Sequence, residues 1–326
     1  NRLIAELASV QKNLVVILTN GSAVAMPWVN DVPSILESWL GGQAGAGAVA
    51  DVLFGAVNPS GKLAETFPMR LQDTPSYLNF PGESGESIYG ERIFVGYRYY
   101  EALQIEPLYP FGHGLSYTTF TYDDMKVSAG RITDSETLTV SANIRNTGKV
   151  GGKEIVQLYV ADPQSSLQRP VKELKGFTKV SLKPGESREV RFSLQARDFS
   201  FYDPRHSQWV AESGDFEIAI GASSADIRLT ETVQLNSTQA LNYAIDEYTF
   251  FRELWEDEQT KPLLIELAPV WIASQAAAET PLEEADIQDF LLDQPLIKLP
   301  FFTAGEVTKE QIMELVERCN RMTFQP

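Results

Sequence analysis

Two periodicities divide this chain of 326 residues. Up to about residue 80, helical spacings alternate with short apolar runs; from Phe120 onward, apolar and polar positions alternate with a period of two. Leu3, Ile4, Leu7 and Val10 fall on one face of a helix. Residues 14–18 (LVVIL) are apolar at every position and are followed by Asn20-Gly21, which predicts a strand buried on both faces of a parallel sheet. Residues 34–40 are ambiguous, with a second strand as one reading. A glycine-rich stretch, 41–48, runs into 49–53 and ends at Gly55. Such a loop can cradle phosphate at a helix start, yet it has neither the Lys-Ser/Thr pair of a P-loop nor dinucleotide-fingerprint spacing. Close helix–sheet packing is the better explanation. Asn58-Pro59-Ser60-Gly61 predicts a turn with Gly61 at positive φ, and residues 63–67 an outer strand.

In the period-two region Leu138, Val140, Ala142 and Ile144 alternate with Thr137, Thr139, Ser141 and Asn143. Val156, Leu158 and Val160 repeat the pattern, as do Val190, Phe192 and Leu194, and again Phe216, Ile218 and Ile220. Turn chemistry at 146–148, 183–186 and 213–215 separates the runs. About seven short strands in ~115 residues predict an immunoglobulin-like sandwich. The chain has no cysteine pair, so a fibronectin type III-like variant is preferred, with a small all-β barrel as the alternative.

After Asn236 helical signals take over. Thr280 to Glu283 and Thr308 to Gln311 both read as capping boxes. Ile312, Leu315, Val316 and Cys319 form an apolar face behind the second box. Residues 243–255 read as helix and 294–302 as loop. The aromatic content of this tail argues that its apolar face covers the sandwich, the first domain or a second copy of the chain. Between the two periodic regions lies a Gly- and aromatic-rich junction, residues 89–100 (YGERIFVGYRYY) and 110–120 (PFGHGLSYTTF). So much aromatic area predicts a buried domain junction, not a free linker.

Composition narrows the functional classes. The net charge of −17 argues against nucleic acid and anionic membrane surfaces, which need clustered Lys and Arg. One cysteine excludes an intramolecular disulfide, and two histidines leave little for metal ligation or a His-dependent triad. No apolar run approaches the ~20 residues of a membrane helix. No signal peptide is visible, although Asn1 opens inside an amphipathic pattern, as the middle of a longer protein would. The lack of disulfides and of a Ser/Thr/Pro-rich linker favours a bacterial cytoplasm, with the compartment left open.

The remaining chemistry is carboxylate and aromatic. Glu83, Glu86, Glu91 and Glu101 surround the junction among Tyr77, Phe80, Tyr89, Tyr97, Tyr99 and Tyr100. Two carboxylates facing an aromatic groove suit glycoside hydrolysis, at ~5 Å for retention or ~6.5–9.5 Å for inversion. Acidic loop residues are more commonly just solvated. His113, between two glycines, reads as a structural histidine bonding to backbone, and the Asn236-Ser-Thr238 glycosylation pattern as a chance match.

Residues 58–68 (NPSGKLAETFP), 93–99 (IFVGYRY) and 109–120 (YPFGHGLSYTTF) closely resemble the C-terminal part of glycoside hydrolase family 3, whose best-known members are β-glucosidases. The resemblance implies a multidomain chain. Residues 1–80 would be the later part of the family's α/β sandwich domain and 81–119 the junction. Residues 120–237 would be the fibronectin type III-like β-sandwich, and 238–326 a helical C-terminal extension like that of some bacterial members. Members of this type carry their nucleophilic Asp on a (β/α)8 barrel and their acid/base Glu just before the stretch with which this chain opens. No position here therefore inherits a catalytic role. The implied enzyme is an exo-acting retaining β-glycosidase using neither metal nor cofactor, acting on a β-linked oligosaccharide or glycoside. Its barrel lies on the same or an associated chain, and self-association runs through the helical extension. Arg92, Arg98 and His113 are expected as internal hydrogen-bonding and ion-pair groups, and Glu86, Tyr89 and Glu91 as sugar contacts at an outer rim. The alternative is a non-catalytic carbohydrate-binding or assembly module.

Overall fold

The computed structural model of the protein describes residues 1–239, 244–267 and 292–323. The chain divides into two compact units, Asn1–Phe201 with Trp209–Gln239, and Tyr202–Gln208 with Ala240–Pro326.

The larger unit is built around a β-sandwich. One sheet runs from residues 131–133 through 226–236, 214–223 and 152–161 to 173–182, and the other from 120–127 through 138–146 to 187–194. The strands are β3 (Phe120–Val127), β4 (Arg131–Thr133), β5 (Leu138–Asn146), β6 (Gly152–Ala161), β7 (Glu173–Leu182), β8 (Ser187–Leu194), β11 (Gly214–Ser223) and β12 (Asp226–Asn236). After the single-turn helix α4 (Ala196–Phe199), a separate two-stranded sheet joins β9 (Phe201–Asp203) and β10 (Gln208–Val210). The period-two pattern is realised in β5, where Leu138, Val140, Ala142 and Ile144 have no exposed surface. Antiparallel pairing sets Leu138 against Leu194, Val140 against Phe192 and Ala142 against Val190. On the facing sheet Val160 pairs with Ile218 and Leu158 with Ile220. These inward residues form one core, and truncating a buried Leu or Ile in it to Ala costs about 2–5 kcal/mol.

Asn146, whose turn the sequence marks, is fully buried at the end of β5. Its side-chain oxygen accepts from Thr118 Oγ1 at 2.6 Å and from the Gly148 amide at 3.0 Å, while its Nδ2 donates to the carbonyls of Val150 and Leu182. A buried amide satisfied on both ends ties a loop where an unsatisfied one would destabilise it.

Upstream, β1 (Val15–Leu18) pairs in parallel with β2 (Ser34–Glu37), so the ambiguous stretch is a strand. Within this chain β1 is covered on one face only. Val15 and Ile17 are exposed, because β1 and β2 stand as a two-stranded sheet covered on one face by the cluster of Met26, Trp28, Val32 and Phe67. The helix α1 (Arg2–Val10) likewise keeps Leu3, Leu7 and Val10 exposed. The glycine-rich stretch opens α2 (Gly45–Leu53), of which no residue is buried within this chain. Residues 63–67 are not a strand. They run beside 109–113 with Leu63 and Phe67 bonded to the main chain of His113, Gly112 and Tyr109, and only Phe67 and Tyr109 form a bridge. Gly61 does not adopt the expected positive φ.

The second unit has its own core. Short helices α5 (Phe251–Glu256) and α6 (Lys261–Leu267), a 3-10 turn at Leu296–Lys298, α7 (Leu299–Phe302) and α8 (Lys309–Thr323) enclose Phe251, Leu254, Leu264, Leu296 and Leu299. Helix is thus confined to 251–256 within the stretch read as helical to 255, and 294–302, read as loop, coils into a 3-10 turn and a helical turn. The Thr308–Gln311 box forms in both directions at 2.8 and 3.3 Å. The expected box at Thr280 lies outside the described residues. Ile312, Leu315, Val316 and Cys319 pack into this unit's own core, so the apolar face of α8 has its cover within the unit. Asn320 closes the bundle through paired bonds to the main chain of Ile245 at 2.7 and 2.8 Å.

Candidate functional site

The acidic loop is a small hairpin. The amides and carbonyls of Glu83 and Glu86 bond reciprocally at 3.0 and 2.9 Å across Ser84 (φ 52) and Gly85 (φ 82). Two successive positive φ values are the mark of a type I′ turn, and Gly85 meets that need without strain. The hairpin presents Glu86 to solvent and leaves Tyr89 82% exposed, with Leu78, Phe80 and Ile88 exposed around it. Glu91 is half-buried, and its Oε2 is buried without a hydrogen-bond partner among the described residues. The three rim candidates therefore share one loop, two of them in solvent. The expected burial of the aromatic-rich junction fails at Ile93 and Val95.

Burial begins at α3 (Tyr97–Ala102). Tyr97 stacks on Phe111 at 5.0 Å between centroids and meets Tyr159 edge-on at 6.0 Å. These rings cover the outer face of the five-stranded sheet, where Gln157, Tyr159 and Ala219 are buried along with the inward residues. The Tyr159 phenol donates to Gln157 Oε1 at 2.6 Å, and Gln157 Nε2 donates to the Ala222 carbonyl at 2.8 Å.

Beside this stack Arg98 pairs with Glu173 at 3.1 Å, and Lys172 with Glu101 at 2.7 Å. Burial pushes the Glu101 carboxyl above its ordinary range against the pull of Lys172. Burial also pushes the Glu173 carboxyl up, but Lys175, Arg98 and Arg169 together hold it below its ordinary range. Arg98 is an ion-pair group as expected. Arg92 is not, being exposed at φ 53 with no salt bridge among the described residues. His113 bonds through its main chain, and its ring lies on Tyr109 at 5.1 Å. Burial lowers its pKa, helped by Lys62.

The residues of 58–68 act as fasteners. Asn58 donates to the Gly151 carbonyl at 3.0 Å and accepts from Ser116 Oγ and the Tyr117 amide. Lys62 reaches Glu154 at 3.2 Å, with both side chains nearly buried. Glu65 accepts from the Ala23 amide at 2.9 Å. Each bond joins segments distant in sequence, which accounts for Asn, Lys and Glu in that run.

Sequence reasoning missed one feature, a cleft of about 210 Å³ lined by Thr66, Tyr97, Tyr100, Glu101, Ser224 and the turn 104–107. Tyr100 and Glu101 were visible candidates. Nothing in the pattern brings Thr66 or Ser224 to them.

The comparisons agree with this architecture. Residues 1–117 match the glycosyl hydrolase family 3 C-terminal domain, and residues 154–224 the fibronectin type III-like domain. Thermostable beta-glucosidase B of Acetivibrio thermocellus is 48% identical over 324 residues, 99% of this chain and 42% of that protein. A beta-glucosidase of Bacteroides ovatus is 48% identical over 72% of this chain and 32% of its own length. Among solved structures, a GH3 beta-glucosidase of Bifidobacterium adolescentis gives a TM-score of 0.73 at 44% identity, covering 81% of this chain and 39% of that one. Beta-glucosidase 3B of Thermotoga neapolitana, solved with glucose, gives 0.67 at 42% identity over 72% and 33%. The chain spans less than half the length of these relatives. Residues 1–117 are thus a glycosyl hydrolase family 3 C-terminal domain, followed at residues 154–224 by a fibronectin type III-like domain.

Proposed function

We propose that this chain is the C-terminal portion of an exo-acting retaining β-glycosidase of the β-glucosidase type, releasing terminal β-linked glucose from oligosaccharides or glycosides. The observation that carries this reading is the 48% identity to a beta-glucosidase along 99% of the chain. The portion described here holds the cleft from one side. The catalytic carboxylates come from segments outside residues 1–326. One attacks the anomeric carbon, and the other protonates the leaving oxygen and then activates water, so the configuration is kept after two inversions.

Two features support a partner domain and a rim role. The apolar faces of α1 and β1 stand open, as does Phe54 at 89% exposure beside α2, where the rest of an α/β domain and a barrel would pack. The hairpin with Glu86, Tyr89 and Glu91 offers an exposed ring flanked by acceptors, the chemistry that holds a sugar at an outer subsite. The α8 face is internal to its own unit, so self-association through the helical extension would run through its other surfaces.

The test is an assay of the complete protein on nitrophenyl β-glucoside and cellobiose, with the product anomer followed by NMR. β-Glucose as the first product is expected. First-formed α-glucose refutes retention. If neither substrate is cleaved and cellobiose still binds, the chain belongs to a carbohydrate-binding module.

A further inference from the structure

The cleft beside α3 has a built polar interior. Thr66 is only 7% exposed, and its Oγ1 is buried with no hydrogen-bond partner among the described residues. The Glu101 carboxylate lines the same space, paired with Lys172 at 2.7 Å, with Ser224 beside it on the lining. Ser224 is itself fixed by its amide, which donates to the Phe111 carbonyl at 2.9 Å. Most of the remaining wall is apolar, from Tyr97, Tyr100, Ile105 and two prolines, with Gln104 and Glu106 on the 104–107 turn. The whole lining lies in one unit of the chain.

Volume and charge select the occupant. At ~30 Å³ per water, about 210 Å³ holds about seven waters, room for one small molecule and less than a drug-sized ligand needs. Glu101 and Glu106 on the lining disfavour an anion. Lys172 already neutralises Glu101, so a cation gains little there. A neutral molecule carrying several hydroxyls can donate to the carboxylate, pair with Thr66 Oγ1 and lay its C–H faces on the tyrosine and proline walls. We propose that this cleft, between α3, the 104–107 turn and the β11–β12 turn, is a binding site for a neutral polyhydroxylated molecule of polyol to monosaccharide size.

The test uses the complete protein with labelled threonine methyls, the Thr66 signal being assigned by its loss in Thr66→Val. Titration with glucose and with glycerol is expected to shift that signal saturably, with inorganic phosphate leaving it in place. Glu101→Gln keeps the shape of the carboxylate but loses its charge, and should weaken the glucose response about tenfold or more. If Glu101→Gln unfolds by stranding Lys172, Ser224→Ala provides the second variant and should weaken it less. A complete protein that cleaves no glycoside can still give these shifts. A Thr66 methyl unmoved by glucose and glycerol, or one moved by phosphate alone, overturns the proposal.

Discussion

The Tyr97 phenol accepts a 2.8 Å hydrogen bond from the amide of Leu174 in β7, so a helix of the junction is bonded to the edge strand of the sandwich. Burial raises the pKa of this phenol, keeping it protonated and positioned. Tyr97→Phe leaves the ring stack on Phe111 but strands the Leu174 amide, at a cost of about 1–3 kcal/mol. Thermal or urea unfolding of the complete protein should show that loss. An unchanged midpoint would mean that the bond holds nothing.

Glu173 is the hub of a charge cluster, 3.1 Å from Arg98 and 3.3 Å from both Arg169 and Lys175. Glu173→Gln should destabilise by about 1–3 kcal/mol, below the 3–5 of a fully buried pair because part of the cluster reaches solvent. The pH dependence has a definite sign. The carboxyl titrates below its ordinary 4.5 in the folded chain, so its stabilisation is complete above pH 4.5 and is lost as pH falls through the lower folded value. The gap between wild type and variant in unfolding midpoint should hold steady above the ordinary 4.5 and narrow as pH falls below it. A gap that widens in acid contradicts the assignment.

Gly112 sits at φ 81, and a Cβ there would overlap the Gln157 side-chain amide. That amide is the centre of the buried bonds to Tyr159 and Ala222, so it cannot swing aside freely. Gly112→Ala should cost roughly 2–4 kcal/mol, from the left-handed backbone and the overlap together. Differential scanning calorimetry would reveal it, with Gly130→Ala, which meets open space, as the near-neutral control.

On the β-glucosidase reading, Glu86→Gln, Tyr89→Ala and Glu91→Gln should lower kcat/KM for cellotriose by about three- to tenfold while leaving nitrophenyl β-glucoside within about twofold. The loss should lie mainly in KM, since an outer contact binds ground state and transition state alike. Equal losses on both substrates, or none on either, would remove these residues from the rim.

Much of the architecture is legible in local pattern. The alternation of Leu138, Val140, Ala142 and Ile144 predicts a half-buried strand because side chains on a pleated strand point to opposite faces. The Thr308–Gln311 box announces the start of α8 because the cap bonds are made within one turn. The runs at 58–68, 93–99 and 109–120 place the chain in its family, although nothing in them says which residue fastens to which.

The failures share one cause. Residues 63–67 have the composition of a strand, but their hydrogen bonds go to 109–113, a partner that local pattern does not supply. Period two expects Gln157 and Tyr159 to face solvent, and they are buried because the Tyr97–Phe111 stack covers the outer face of β6. Ile93 and Val95 lie in the aromatic-rich junction whose composition predicts burial, yet both are exposed. By itself the sequence determined the sandwich, the order of the domains and the family, because these rest on local periodicity, turn chemistry and motif. Tertiary structure alone decided which polar groups meet at Gln157, at Glu173 and in the Thr66–Glu101 cleft. Those juxtapositions join residues far apart in the chain, and only packing brings them within hydrogen-bonding distance.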